Sequence, residues 1–155
     1  MYRKILVTFD GSKLAECVLP HVEFIAKAPG VESVIFLRVV EPFRMPGGYY
    51  DSSLSAEEIK RIDSEQRVEA ENYLKKLVKQ TKYEGVNVQS KVISGKAADS
   101  IAEYATKNGV DLIIISTHGR SGVSRWVWGS VADRVLRSAC APVLMVRAPG
   151  CVPGV

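Results

Sequence analysis

Two glycine-containing segments in the second half of the chain have the composition of a phosphate-binding site. The first is Ser116-Thr117-His118-Gly119, after an apolar run that ends at Ile115, and the second is Gly129-Ser130, separated from Gly119 by nine residues. Glycine lets the backbone approach phosphate oxygens, and the N–H groups at the start of a helix attract anions. With the guanidinium of Arg120 nearby, the two segments predict a phosphate cradle.

A carboxylate stands at the end of another apolar segment. Asp10 follows Lys4–Phe9 and precedes Gly11-Ser12. Its side chain can accept hydrogen bonds from a ribose or a base. The structural alternative is that Asp10 only caps the following helix, while Gly119 and Gly129 are only turn glycines. The residues alone leave both interpretations open.

Apolar periodicity predicts five strands that alternate with four helices. The strands are Lys4–Phe9, Ser33–Val40, Val86–Ile93, a segment containing Ile113–Ile115, and Pro142–Val146, and the helices begin near Ser12, Ser55, Ala97 and Ser130. We expect Pro20 to kink the first helix, because proline removes a hydrogen bond inside a helix.

The apolar faces of two helices can be written out from their spacing. The second helix, which starts with a capping box of Ser55 and Glu58 and reaches about Thr81, is predicted to align Ile59, Ile62, Gln66, Ala70, Tyr73 and Leu77. The last helix is predicted to use Val131, Val135, Leu136 and Ala139.

This alternation predicts an α/β fold, a doubly wound parallel sheet with helices on both faces. Ligands of such sheets bind outside the carboxyl ends of the strands, where the strand order reverses. If the first strand is central, the loops at Phe9–Gly11, Val39–Glu41 and Ser116–Gly119 converge on one crevice. The long loop from Glu41 to Ser53 then lies beside it.

Bulk composition excludes several classes of protein. The 155 residues correspond to about one domain, and no run approaches the roughly 20 apolar residues of a membrane span. The net charge of +4 does not indicate nucleic acid, since Lys75, Lys76, Lys79 and Lys82 form the polar side of one helix. Three widely spaced cysteines and a first segment that is a strand, not a signal peptide, favour the cytoplasm.

On these motifs the chain resembles the universal stress protein family, over residues 1–147, with 148–155 as a loose tail. The nucleotide-binding branch of that family carries glycine, two residues, glycine, nine residues, then glycine with serine or threonine. Gly119 and Gly129-Ser130 match the second part, and Ser116 stands where the first glycine is expected. Further matches are Asp10, Val39, Gly95 and the strand Pro142–Val146, whereas Ala97 replaces the usual proline.

The resemblance implies an adenine-nucleotide alpha-hydrolase-like fold with strand order 3-2-1-4-5. It implies a sensor or switch that binds ATP or another adenine nucleotide, with Mg²⁺ or Mn²⁺ carried by the phosphates and at most slow hydrolysis. It also implies a homodimer through Val143–Val146. The implied nucleotide-binding residues are Thr8, Phe9, Asp10, Val39, Ile115, Ser116, Thr117, His118, Gly119, Arg120, Gly129, Ser130 and Val131.

Other activities fail on particular residues. The first turn lacks GxGxxG, no GxxxxGK[ST] is present, and Thr8 occupies the position where a haloacid-dehalogenase-type phosphatase needs its aspartate. No cluster of His, Cys, Asp and Glu residues has the spacing of metal ligands, so the sequence does not indicate a bound metal. The alternatives left open are a nucleotide-independent dimeric module that binds another protein, and a phosphohydrolase. We expect Gly129→Val to abolish nucleotide affinity with little loss of fold.

Overall fold

A computed structural model describes residues 2–43, 55–117 and 129–147. Its centre is a five-stranded, all-parallel sheet in the order β3-β2-β1-β4-β5. The strands are β1 (Lys4–Thr8), β2 (Ser33–Val40), β3 (Asn87–Ser94), β4 (Leu112–Ser116) and β5 (Val143–Val146). The predicted strand order is confirmed.

Helices cover both faces of this sheet. They are a 3₁₀ helix (Ala15–Val18), α1 (Leu19–Ala26), α2 (Ala56–Gln80), α3 (Ala97–Lys107) and α4 (Ser130–Ser138). One hydrophobic cluster joins Phe36 of the sheet to α1 and α2, and the other joins Ile113 to α3 and α4. The three residues of the run Ile113–Ile115 are buried on alternate faces, as expected of a strand covered on both sides.

The first helical segment differs from the prediction. It consists of the short 3₁₀ helix followed by α1, and Pro20 lies in the first turn of α1. Proline is tolerated there because the N–H that it lacks would have had no intrahelical acceptor. The expected kink inside a continuous helix is therefore wrong, and a change of helix type takes its place.

The capping box of α2 is confirmed: Ser55 Oγ accepts from Glu58 N–H at 3.2 Å, and Glu58 Oε2 accepts from Ser55 N–H at 2.7 Å. The buried residues of α2 are Ala70, Leu74 and Leu77, so the predicted stripe omitted Leu74. Four of its predicted members, Ile59, Ile62, Gln66 and Tyr73, are half-buried.

The apolar face predicted for α4 is wrong at two positions. Val131 and Leu136 are exposed, and the residues that α4 buries are Ala132 and Val135. Among the described residues, α4 packs on α3 and on the edge strand β5, and these contacts cover a narrow stripe of the helix. Within the described ranges no helix is both long and apolar enough to cross a membrane.

Candidate functional site

The carboxyl ends of β1, β2 and β4 lie side by side, because β1 pairs with both of the other strands. Thr8 of β1 is opposite Leu37 of β2, and Val7 is opposite Ile114 of β4. The segments after these strands therefore start at one edge of the sheet. This edge carries the predicted site residues Thr8, Phe9, Asp10, Val39, Ile115, Ser116 and Thr117.

Three other predicted site residues, His118, Gly119 and Arg120, lie outside the residues that the structure describes. So does most of the loop from Glu41 to Ser53, of which only 41–43 are described. The roles given to these residues stay predictions. The remaining predicted residues, Gly129, Ser130 and Val131, form the start of α4.

The turn after β1 is shaped by the side chain of Asp10. Its Oδ1 accepts hydrogen bonds from the N–H of Ser12 at 2.8 Å and from Ser12 Oγ at 2.7 Å. Ser12 Oγ in turn accepts from the N–H of Ala15 at 3.2 Å, at the start of the 3₁₀ helix. Ser12 thus provides an acceptor for the first N–H of this helix, and Asp10 holds Ser12 in place.

The start of α4 is held against the end of β4 by a backbone contact. Gly129 N–H donates to the carbonyl of Thr117 at 2.8 Å, and Thr117 N–H donates to the carbonyl of Val146 at 2.8 Å. A Cβ on Gly129 would lie only 2.5 Å from the Thr117 carbonyl oxygen. Glycine is therefore required by the chain itself, and the expectation that Gly129→Val spares the fold is wrong.

This closure gives the helix start a defined place in the crevice. Gly129 is the N-cap of α4 without a side-chain cap, and Ser130 is the first helical residue. The first N–H groups of any α-helix lack intrahelical acceptors and lie at the positive end of the helix dipole. An anionic group at the carboxyl end of β4 would thus meet N–H donors and the Ser130 hydroxyl.

The wall on the α3 and α4 side of the crevice is apolar. Val39 is half-buried at the end of β2, Ile115 is buried in β4, and both belong to the hydrophobic cluster of that face. Side chains of this kind can cover one face of a flat aromatic base. The structure thus places Val39 and Asp10 at the ends of neighbouring strands, as the crevice argument predicted.

The beginning of the loop after β2 is anchored by two carboxylates that the sequence analysis did not single out. Glu41 Oε1 accepts from the N–H of Ala97 at 3.1 Å, which caps α3 from another segment. Asp63 Oδ1 on α2 accepts from the N–H of Phe43 at 2.9 Å. These contacts fix the first residues of the loop relative to α3 and α2.

The sequence analysis also missed a buried cation. Arg38 of β2 is 6% exposed, and its guanidinium lies 5.6 Å from the centre of the Tyr73 ring. Burial, followed by the negative charges of Glu16 and Asp10, raises the pKa of Tyr73, so this phenol stays protonated and donates to Glu16 Oε1 at 3.3 Å. A charged residue within the apolar run FLRVV was the available signal.

Over residues 2–43, 55–117 and 129–147, no group of three or more His, Cys, Asp and Glu side chains is arranged to hold a metal ion. The histidine in this part of the chain, His21, is exposed on α1. The described edge thus offers hydrogen-bond donors, one carboxylate turn and an apolar wall. These groups suit the binding of a polar, anionic molecule with an aromatic part.

Comparison with known proteins agrees with this arrangement. Universal stress protein MJ0531 of Methanocaldococcus jannaschii is 34% identical over 151 residues, which cover 96% of this chain and 84% of that protein. The solved structure of MJ0577 from the same organism has a TM-score of 0.81 at 29% identity and covers 97% of this chain and 99% of its own.

A universal stress protein from Archaeoglobus fulgidus, solved in complex with dAMP, has a TM-score of 0.57 at 25% identity and covers 93% of this chain and 97% of its own. The family model described as "Universal stress protein family" matches residues 1–147, which include every strand and helix of the sheet fold. With its sheet order, its Asp10 turn and its Thr117 to Gly129 closure, the chain belongs to the universal stress protein family.

Proposed function

We propose that this protein binds an adenine nucleotide, ATP in the first instance, at the carboxyl ends of β1, β2 and β4, and acts as a cytoplasmic stress-response sensor or switch. The observation that carries the proposal is the Gly129 to Thr117 hydrogen bond, which brings the start of α4 to the strand edge that also holds the Asp10 turn. The dAMP complex of the Archaeoglobus fulgidus relative supports the ligand class.

Each part of the nucleotide has a group to meet. The adenine packs on Val39 and Ile115, and the ribose or base donates to the carboxylate of Asp10. Phosphates bind at the N–H groups of Ser130 and Val131 and at the Ser130 hydroxyl, beside Gly129, whose own N–H is held by Thr117. The backbone around Thr8, Phe9, Ser116 and Thr117 lines the floor, while His118, Gly119 and Arg120 complete the phosphate contacts.

Divalent cations enter with the phosphates. Mg²⁺ or Mn²⁺ prefers oxygen ligands and is commonly held by phosphates with few protein groups. Hydrolysis of ATP is slow, because the Ser12 hydroxyl that is paired with Asp10 also accepts from the Ala15 N–H and serves the turn. We therefore propose binding as the activity and treat turnover as secondary.

In the described part of the chain β5 is an edge strand, and its outer edge supports a homodimer. Val143, Leu144 and Met145 are half-buried on this edge strand, and the exposed Val131 and Leu136 lie on the helix that packs beside it. An apolar strand edge that stays uncovered promotes aggregation, and pairing with a second copy removes it. The same surface favours the second candidate function, a dimeric module that binds a protein partner without nucleotide.

Co-purification distinguishes the two candidate functions. The protein is purified without added ligand, and the nucleotide content of the denatured sample is measured by mass spectrometry. Titration calorimetry with ATP, AMP and dAMP then gives the affinities. Absence of bound nucleotide together with no saturable binding below about millimolar concentration, the weak end of useful affinities, contradicts nucleotide binding and favours the interaction module.

A matched pair of variants locates the site. Asp10→Asn removes one negative charge at the carboxyl edge, and Asp111→Asn removes one at the opposite edge, where Asp111 Oδ2 accepts from the N–H groups of Arg3 and Lys4 at 2.9 and 2.8 Å. We expect only Asp10→Asn to weaken nucleotide binding. Equal affinities of the two variants would place the site elsewhere.

A further inference from the structure

The guanidinium of Arg38 lies directly beneath the turn that carries Asp10. A Cβ on Gly11 would come within 2.8 Å of Arg38 Cζ and Nη1, so the backbone of Gly11 lies close against the guanidinium group. Gly11 also has a φ of +89°, a value that favours glycine. The turn after β1 is thus fitted to the arginine by both its backbone angle and its missing side chain.

Arg38 faces the α1 and α2 side of the sheet, opposite to its neighbour Val39. Side chains alternate along a strand, and Phe36 belongs to the hydrophobic cluster of α1 and α2, whereas Val39 packs on the other cluster. Arg38 is therefore behind the crevice wall that Val39 helps to form. It contacts the proposed site through Gly11.

The other side of the guanidinium meets helix α2. It lies over the ring of Tyr73, with Glu69 Oε1 at 3.9 Å from Nη2, and Phe9 packs edge-on against the Tyr73 ring with centroids 6.3 Å apart. Glu69 is 73% exposed, so its ion pair adds little. The guanidinium is thus close to both the Gly11 backbone and the Tyr73 ring.

We propose that Arg38 is a positioning residue for nucleotide binding, which holds the Asp10-Gly11-Ser12 turn in the position where Asp10 contacts the nucleotide. The inference rests on the proposed function. It adds that affinity at the crevice depends on a side chain that does not touch the nucleotide, and that helix α2 supports the site through Tyr73.

The first test compares Arg38→Met and Arg38→Lys with the control Arg67→Met, an arginine on α2 that is 57% exposed. We expect Arg38→Met to raise the nucleotide dissociation constant roughly tenfold, the scale found for residues that orient direct ligands. Arg38→Lys should lose about as much, because an ammonium cannot lie flat between Gly11 and Tyr73. Full affinity in Arg38→Lys, or in Arg38→Met, would overturn the proposal.

The second test asks whether Arg38 acts through Asp10. In an Asp10→Ala background the effect of Arg38→Met should nearly vanish, because the group that Arg38 positions is gone. A purely structural role would produce the same fold-change in both backgrounds, and that result would contradict positioning. Residual affinity of the Asp10→Ala protein is measured by competition with a fluorescent adenine nucleotide.

A ligand-free measurement separates this inference from the proposed function. Amide resonances of Gly11 and Ser12 should move in Arg38→Met, while those of the distant Gly109 stay in place. If the unmodified protein binds no adenine nucleotide, the proposed function fails and nucleotide positioning fails with it, whereas a shifted turn would still show that Arg38 shapes the Asp10 loop. If the nucleotide binds and the Gly11 and Ser12 resonances do not respond to Arg38→Met, only the inference fails.

Discussion

Replacing Gly129 by alanine tests the close contact between Thr117, at the end of β4, and the start of α4, because the contact decides whether the free energy of unfolding rises or falls. Gly129 has a φ of −50°, which any residue adopts, so an unhindered alanine would stabilise the protein by about 0.4–1 kcal/mol through the unfolded state. The Cβ would, however, lie 2.5 Å from the Thr117 carbonyl oxygen. We therefore expect destabilisation instead.

The magnitude follows from the distance that has to open. A comfortable C···O contact is about 3.4 Å, so the carbonyl and the glycine backbone must separate by roughly 0.9 Å. The same movement stretches the Gly129 to Thr117 hydrogen bond, now 2.8 Å, beyond bonding distance. Thr117 is buried, and the loss of this hydrogen bond costs about 1 kcal/mol in the free energy of unfolding.

Urea unfolding of the ligand-free protein measures this cost independently of any nucleotide. The m-value should be unchanged, and exchange of the residue 129 amide should lose its protection. Gly109→Ala is the control, because its φ is +60° and no atom lies within 4 Å of its added Cβ, so backbone strain alone lowers its stability. A Gly129→Ala protein as stable as the original, or more stable, would refute the close approach.

Smaller predictions for three residues, Ser55, Tyr83 and Asp111, concern stability alone. Ser55→Ala should cost about 1 kcal/mol, because it removes the capping box with Glu58, and urea unfolding checks this. Tyr83→Phe should raise stability by up to about 1 kcal/mol, since this buried hydroxyl has no acceptor in the described parts of the chain. Burial and Glu23 raise the Tyr83 pKa to about 12, so the folded protein favours the protonated phenol. The stability linked to this protonation is fully present below the unfolded tyrosine pKa of about 10 and is lost as pH rises through 12. Hydrogen bonds from backbone N–H groups lower the Asp111 pKa, so the stability that its carboxylate contributes is lost as pH falls below about 3.9. In Asp111→Asn the free energy of unfolding should therefore fall less steeply at acid pH.

The strands could be predicted because each depends on local pattern, whereas their order was implied by the family resemblance. A run such as Ile113–Ile115 marks a doubly covered strand, and alternation of strands with helices restricts the topology to very few possibilities. The Pro20 kink and the exposed Val131 and Leu136 could not be predicted. Helix type before Pro20 and the width of the stripe that α4 buries are set by neighbours that are distant in the sequence.

The candidate site was predicted to the level of its strand ends but not to the level of its contacts. The crevice rule brings the loops that contain Asp10 and Val39 to one edge of the sheet, and the family resemblance singles out Val39. The packing of Arg38 between Gly11 and Tyr73 joins three segments that no spacing rule connects. A single charged residue in an apolar strand was the visible sign of this packing.

Glycines at this site are explained first by contacts within the chain. Gly129 is needed against the Thr117 carbonyl, and Gly11 is needed against the Arg38 guanidinium and for its positive φ. A pattern of glycines resembling a phosphate cradle would therefore persist in a protein of this fold that had lost its ligand. Asp10 also shapes the turn after β1 through Ser12, whereas the start of α4 has no side-chain cap, so a variant of Ser130 separates nucleotide binding from folding more cleanly than one of Asp10 or of the glycines.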